Sequence, residues 1–256
     1  MSVPYLLRRN PTAKLAVTIA LSLLLVLVID PYTPLLFIAF ALLAGVALGG
    51  IGVRTYARAI VPLGIVALGF VWSNAAFATP APGDTVPAAW GPVRISASGL
   101  LFGIGIALRG LAIGIVSVTF IRSTDPTDLV VSLVRDARVP YRIAYAMLAA
   151  YRFLPFVAQE YEQIRLAQRV RGLPRTRPLA GIIALFSTAL RRATRIAVAM
   201  DARGFASATR RTFYRDVPSV SSDVPFAIVS LLVALAVIAL SAAAGWLRLW
   251  DGRFSA

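Results

Sequence analysis

Apolar and polar positions alternate along this chain in blocks rather than at helical or strand spacing. Residues 15–29 form an uncharged run of 15 positions, short for a membrane span, which Pro11, Thr12 and Ala13 extend while Lys14 snorkels at its start. Asp30-Pro31-Tyr32-Thr33-Pro34 reads as a turn. Residues 35–53 form a second apolar run, ended by Arg54. Residues 59–78 form a third, preceded by Arg58. Residues 79–91 are rich in Pro, Gly and Ala and read as an exposed loop. Residues 95–121 make a fourth run, interrupted only by Arg109. Residues 224–247 make a fifth, with Trp246 and Trp250 at its end as interfacial anchors. The first run leads straight into Asp-Pro and another span, without a small-residue cleavage site, so it does not read as a cleaved signal. The pattern predicts an all-α membrane protein of about five transmembrane helices, with long cytoplasmic helices in the stretch described next.

Residues 122–223 differ in kind. They hold 17 arginines and eight acidic residues, too long a stretch for a structureless loop. Thr124-Asp125-Pro126-Thr127-Asp128 supplies N-cap residues and a first-turn proline. Val139-Pro140 breaks that first helix. Residues 141–170 follow as a long helix, bent at Leu154-Pro155, and residues 179–202 as a second, with a break over 173–178. A further re-entrant or spanning helix within 141–157 stays open. Three segments result: a membrane bundle of four spans (1–121), a cytoplasmic or interfacial helical region (122–223), and a last span with a short external tail (224–256).

Both long helices end alike. The nine residues from Ile164 to Gly172 align with those from Ile196 to Gly204, and Ile, Ala, Arg and Gly recur in register. Ile164, Ala167 and Arg171 stand at i, i+3 and i+7, as do Ile196, Ala199 and Arg203, so each arginine closes an apolar stripe on one helix face. Gly172 and Gly204 suit left-handed caps. Arg before Gly is a common helix end, because a cation favours the C-terminal dipole. Two copies on one charged region favour a second reading: a stripe and a guanidinium offered to a carboxylate-bearing groove.

Composition sharpens the picture. Of 256 residues 59% are hydrophobic and only 14% charged, against about 25% in ordinary soluble domains. With no Cys and no His, thiol nucleophiles, imidazole acid–base chemistry and the common zinc sites are excluded. The net charge is +15, carried by Arg with a single Lys. With the N-terminus placed in the cytoplasm, Arg8, Arg9, Lys14, Arg54, Arg58 and residues 122–223 all fall on that side, 22 of the 26 basic residues. The C-terminus is then external. No Walker A motif is present, and the Gly-dense stretches (45–52, 99–105, 110–114) read as helix-packing positions.

The paired ends Val170-Arg171-Gly172 and Ala202-Arg203-Gly204 carry a family resemblance. The second lies inside Ala199-Met200-Asp201-Ala202-Arg203-Gly204-Phe205, and both are supported by Ser123-Thr124-Asp125-Pro126-Thr127-Asp128-Leu129, Val139-Pro140, Tyr151-Arg152-Phe153-Leu154-Pro155 and Glu160. The chain resembles the transmembrane T component of energy-coupling factor (ECF) transporters, the EcfT/CbiQ/BioN-like family, over nearly its whole length. Val170 stands where the family's first motif has Ala. The resemblance implies a non-enzymatic coupling subunit of an ATP-driven importer of a vitamin or transition-metal ion. It implies two ABC ATPase partners and a small substrate-binding membrane subunit (S component). Arg171, Gly172, Ala202, Arg203 and Gly204 would dock the ATPases, with Ile164, Ala167, Ile196 and Ala199 as supporting stripes. No cofactor or metal is expected in this chain, since ATP and Mg would be bound by the ATPases. The lipid bilayer is an expected contact and nucleic acid is not.

Three other readings compete. A nucleic-acid or anionic-lipid surface role would prefer an exposed basic run of mixed Lys and Arg, and the excess here is almost all Arg. An integral membrane enzyme acting on lipid- or isoprenoid-linked phosphates could use arginines to hold phosphate, but no metal-binding acidic cluster accompanies them. A self-sufficient carrier would show pseudo-repeated bundles and midplane polar residues, and this chain repeats only its helix ends. Arg109 reads as a structural arginine held by helix C-terminal carbonyls or by Ser73 and Asn74, ahead of a substrate pathway. Asp125 and Asp128 read as helix caps. Glu160 and Glu162 read as neighbours of Arg165 and Arg169 on the helix surface or as a carboxylate network at the elbow between the helices.

Overall fold

The computed structural model describes residues 4–77, 88–90, 93–95, 97–172, 178–205, 215, 217–218 and 220–246. They fall into two units, Met1–Leu129 with Val217–Ala256, and Val130–Asp216. The trailing part of residues 79–91, read as loop, includes a strand: β1 (Ala88–Trp90) pairs antiparallel with β2 (Val93–Ile95). Residues 79–87 and 91 lie outside the described residues.

The first unit is built from five helices. α1 (Pro11–Val26) starts earlier than its uncharged run because the Asn10 side chain accepts from the backbone N–H groups of Thr12 and Ala13, with proline in the first helical position. α2 (Tyr32–Ala47) starts where Asp30 Oδ2 accepts from Thr33 N at 2.7 Å. It stops five residues before Gly52, and Gly50 turns the chain at φ +62°. α3 (Val53–Phe77) takes in Arg54 and Arg58 and carries Pro62 in its interior. α4 (Ala97–Arg122) follows the hairpin, and α8 (Val224–Ala243) closes the unit.

These helices alternate in direction. Leu6 N donates to Leu48 O at 3.0 Å, so the chain start meets the end of α2. Ser123, after α4, and Asp223, before α8, both contact the first turn of α1 or the residues just before it. At the far end Tyr32 packs against Trp246, ring centroids 4.8 Å apart. α3, α4 and α8 are long and apolar enough to cross a bilayer. α1 and α2 have 16 residues each. At 1.5 Å per residue that is about 24 Å, less than a hydrocarbon core of about 30 Å.

The core is Leu21, Leu25, Phe37, Tyr56, Ala112 and Ile115 with their neighbours. Small residues let helices touch. A Cβ on Gly45 would fall 1.7 Å from Tyr56 Oη, and one on Gly105 would fall 2.6 Å from Ile29 O. Tyr56 is buried and shares a 2.8 Å hydrogen bond with Thr119, tying α3 to α4. Gly110 meets nothing within 4 Å, so close packing explains Gly45 and Gly105 and not Gly110.

The second unit is mainly α6 (Tyr141–Val170) and α7 (Pro178–Ala202), entered through α5 (Pro126–Arg135). α6 is one continuous helix with Pro155 inside it, and no helix from this unit is among those long and apolar enough to cross a bilayer. Of the break expected over 173–178, residues 173–177 lie outside the described residues, and Pro178 is already the first residue of α7.

Candidate functional site

α5 is capped as its sequence demands. Asp125 Oδ1 accepts from Thr127 N at 2.7 Å and Asp128 N at 3.3 Å, with Pro126 in the first turn. Asp128 sits in that first turn, where a carboxylate favours the helix dipole. After α5 the chain turns through Arg138 at φ +54°, and α6 begins behind Pro140.

α6 and α7 pack antiparallel. A Cβ on Gly181 would meet the side chain of Gln168 at 3.5 Å. Further along, Phe153 and Phe156 hold Arg192, whose guanidinium lies 5.1 Å and 5.5 Å from the two ring centroids. At the other end Tyr141 Oη donates to Phe205 O at 3.1 Å, and the two rings meet edge-on at 5.6 Å. Arg142 Nε donates to Tyr141 Oη, which raises the proton affinity of that guanidinium further.

Each helix ends as its Arg-Gly pair requires. Gly172 and Gly204 both have φ +71°, the left-handed conformation that a Cβ disfavours. Gly172 N donates to Arg169 O at 3.0 Å. Gly204 N donates to Asp201 O at 2.9 Å and Phe205 N to Met200 O at 3.0 Å, the full paired cap of a Schellman end. Arg171 and Arg203 are exposed, and Val170 beside the first is 90% exposed, so this helix end stands clear. Ile164 is half-buried, while Ala167, Ile196, Ala199 and Ala202 are exposed. Because the helices are antiparallel, the two arginines lie at opposite ends of the hairpin. Twenty-five residues of α7 separate them along the axis, about 37 Å at 1.5 Å per residue.

Glu160 and Glu162 form no ion pair with Arg165 or Arg169 among the described residues. Arg165 lies over the Tyr161 ring at 5.9 Å instead. Two further apolar stripes are exposed: Ile143, Met147, Tyr151 and Leu154 on α6, and Ile183, Phe186 and Leu190 on α7.

In the first unit, Arg109 Nη1 donates to Val26 O at 3.0 Å and Val28 O at 3.4 Å. The cation sits where the short helix α1 ends and satisfies carbonyls that have no partner within that helix. Of the two polar neighbours read as its partners, Asn74 donates to Phe70 O on its own helix.

Lys14 does not snorkel. It is buried, and its Nζ donates to Leu6 O at 3.2 Å and Ser123 O at 2.5 Å. Beside it the buried Asp223 accepts from Arg9 Nη1 at 2.7 Å and from Asn10 N. The hydrogen bond to Asp223 raises the proton affinity of Arg9. Sequence reasoning missed this cluster. Lys14 and Ser123 are 109 residues apart in the chain, Arg9 and Asp223 are 214 apart, and only the Asn-Pro and Asp-x-Pro helix starts marked the positions.

A family model for CbiQ, described as a cobalt transport protein, matches residues 4–214, a range that includes both Arg-Gly ends. The chain belongs to the CbiQ family. Energy-coupling factor transporter transmembrane protein EcfT 1 of Listeria monocytogenes is 31% identical over 225 residues, 82% of this chain and 83% of the relative. EcfT of Brevibacillus brevis is 30% identical over 261 residues, 95% of this chain and 94% of the relative. A putative ABC transporter ATP-binding protein of Bifidobacterium longum is 30% identical over 168 residues, 59% of this chain and 22% of that longer protein. As a CbiQ-family member the chain is the multi-pass transmembrane component of an ECF, ABC-type transporter that works with ATPase partners. It is not an enzyme, which removes the lipid-phosphate reading.

Proposed function

We propose that this T component imports a vitamin or transition-metal ion by passing ATPase motion to a separate S component through its two Arg-Gly helix ends. The observation that carries this is the pair of ends itself. Each has an exposed arginine behind a glycine-capped helix, and the antiparallel hairpin sets them about 37 Å apart along its axis. That spacing supports two separate ATPase subunits, each taking one end, over one partner gripping both. Arg171 and Arg203 present the charge; Gly172 and Gly204 end the helices so that the guanidiniums project; Ala202 keeps the second end slim. The stripes Ile164–Ala167 and Ile196–Ala199 supply apolar contact beside each cation. ATP and Mg are bound by the ATPases, and this chain holds neither cofactor nor metal. The exposed apolar stripes of α6 and α7 offer a lipid-side surface to the S component. The N-terminus is cytoplasmic and the C-terminus external, which keeps 22 of 26 basic residues inside.

The test is co-purification with uptake. Arg171→Glu and Arg203→Glu should each weaken ATPase retention, and the double variant should abolish uptake while the protein stays in the membrane. Arg248→Glu, which follows the last helix in sequence and lies outside both Arg-Gly motifs, should leave uptake within about twofold of wild type, since a charge change away from the docking ends costs little. Wild-type uptake by the double variant would overturn the assignment.

A further inference from the structure

The bundle loses the chain after Leu129 and regains it at Val217, so residues 130–216 are an insertion with one exit and one return. Both crossings are held by the same short piece of chain. On the exit side, Lys14 Nζ reaches Ser123 O at 2.5 Å. On the return side, Asn10 Nδ2 donates to Pro218 O at 2.5 Å, and Asn10 N donates to Asp223 Oδ2. Arg9 closes on Asp223 Oδ1 at 2.7 Å and is backed by the Tyr5 ring, 4.1 Å from its guanidinium carbon. Asn10 is 0%, Asp223 1% and Lys14 4% exposed.

Burying an ammonium group among carbonyls is costly, and a methionine of similar length would fill the space without that cost. What a methionine lacks is direction. The Lys14 ammonium ties the exit carbonyl of Ser123 to that of Leu6 beside α1, and Asn10, the N-cap of α1, fixes the return. The two crossings are the covalent routes by which force on the insertion reaches the helices. If they moved independently, that force would be absorbed by their relative sliding.

We propose that Asn10, Lys14 and Asp223 form a buckle that holds the exit and the return of residues 130–216 at one place on the bundle, and that they are positioning residues for energy coupling. The coupling half rests on the transporter function proposed above; the mechanical half does not.

The chain has no cysteine, so introduced pairs report cleanly. Spin labels at Arg122→Cys and Ser221→Cys, both exposed, should give a narrow distance distribution in the purified transporter complex. Lys14→Met and Asp223→Asn should broaden it, and Lys14→Arg should restore it. In vesicles, Lys14→Met should retain the ATPases yet raise the ATP hydrolysed per substrate imported at least threefold. An unchanged distribution in both variants would overturn the buckle. A broadened distribution with an unchanged ATP-to-substrate ratio would overturn its role in coupling. If wild type itself retained no ATPase, the transporter proposal would fail instead, and the distance measurement on the chain alone would still decide the buckle. Asp223→Asn supplies the comparison should Lys14→Met fail to accumulate.

Discussion

A glycine at φ +71° closes each long helix of residues 130–216, and at Gly172 a Cβ would meet nothing within 4 Å. The cost of Gly172→Ala is therefore conformational and not steric. It should destabilise that helix end by about 1 kcal/mol, the penalty for an L-residue in the left-handed region. Faster amide exchange over residues 168–172, with the rest of α6 unchanged, would register it; unchanged exchange would mean that the cap does not hold the end. This conformation was legible in the sequence, since Arg-Gly after an apolar stripe has few other local solutions. The same holds for Asp125, whose Pro-containing turn announces a cap. The partners of Glu160 and Glu162 were not legible, because i+3 and i+4 spacing on a helix permits an ion pair without enforcing one. Lys14 was misread for a related reason. A lysine at the edge of an apolar run is compatible with snorkelling or with burial, and only the carbonyls of Leu6 and Ser123 decide between them.

Among elements, the pairing of unequal helices explains the one arginine deep in a span. α1 has 16 residues and α4 has 26, so α1 ends part-way along its neighbour. Arg109 lies 14 residues from Ser123, about 21 Å along α4 at 1.5 Å per residue. There it receives the last carbonyls of α1. Arg109→Leu should leave those carbonyls unsatisfied and lower bundle stability by about 1–3 kcal/mol, read as a lower unfolding midpoint in detergent. Uptake per surviving molecule should be unchanged; a specific loss of uptake at normal stability would return Arg109 to the substrate path. Helix existence and type followed from the apolar runs, and the bounds of α6 came out as the pattern implied. Lengths did not follow, because an uncharged run continues through turns such as residues 48–52, where glycine and not charge ends the helix. The strand pair β1–β2 sits in a segment whose Pro-Gly composition masked its alternation.

Across the whole molecule, direction is the property most easily tested. With the N-terminus inside, a single cysteine at Arg8 should react with an impermeant maleimide only in inside-out vesicles, and one at Trp246 only in right-side-out vesicles. Reaction of both from one side would contradict an odd number of crossings. The antiparallel course of the two long helices lay outside what periodicity reveals, since a repeat gives two similar ends but not their separation. The last consequence concerns how such a chain is made. Arg9 and Asp223 are 214 positions apart. At roughly 5–20 residues added per second, a ribosome reaches Asp223 about 10–40 s after Arg9. Through that interval four helices and the entire insertion have emerged while Arg9 and Asn10 stand without their carboxylate. A chain cut short anywhere before Asp223 leaves Arg9 and Asn10 without their carboxylate, so the residues that open the first and last helices carry a chemical sign that synthesis has passed the insertion.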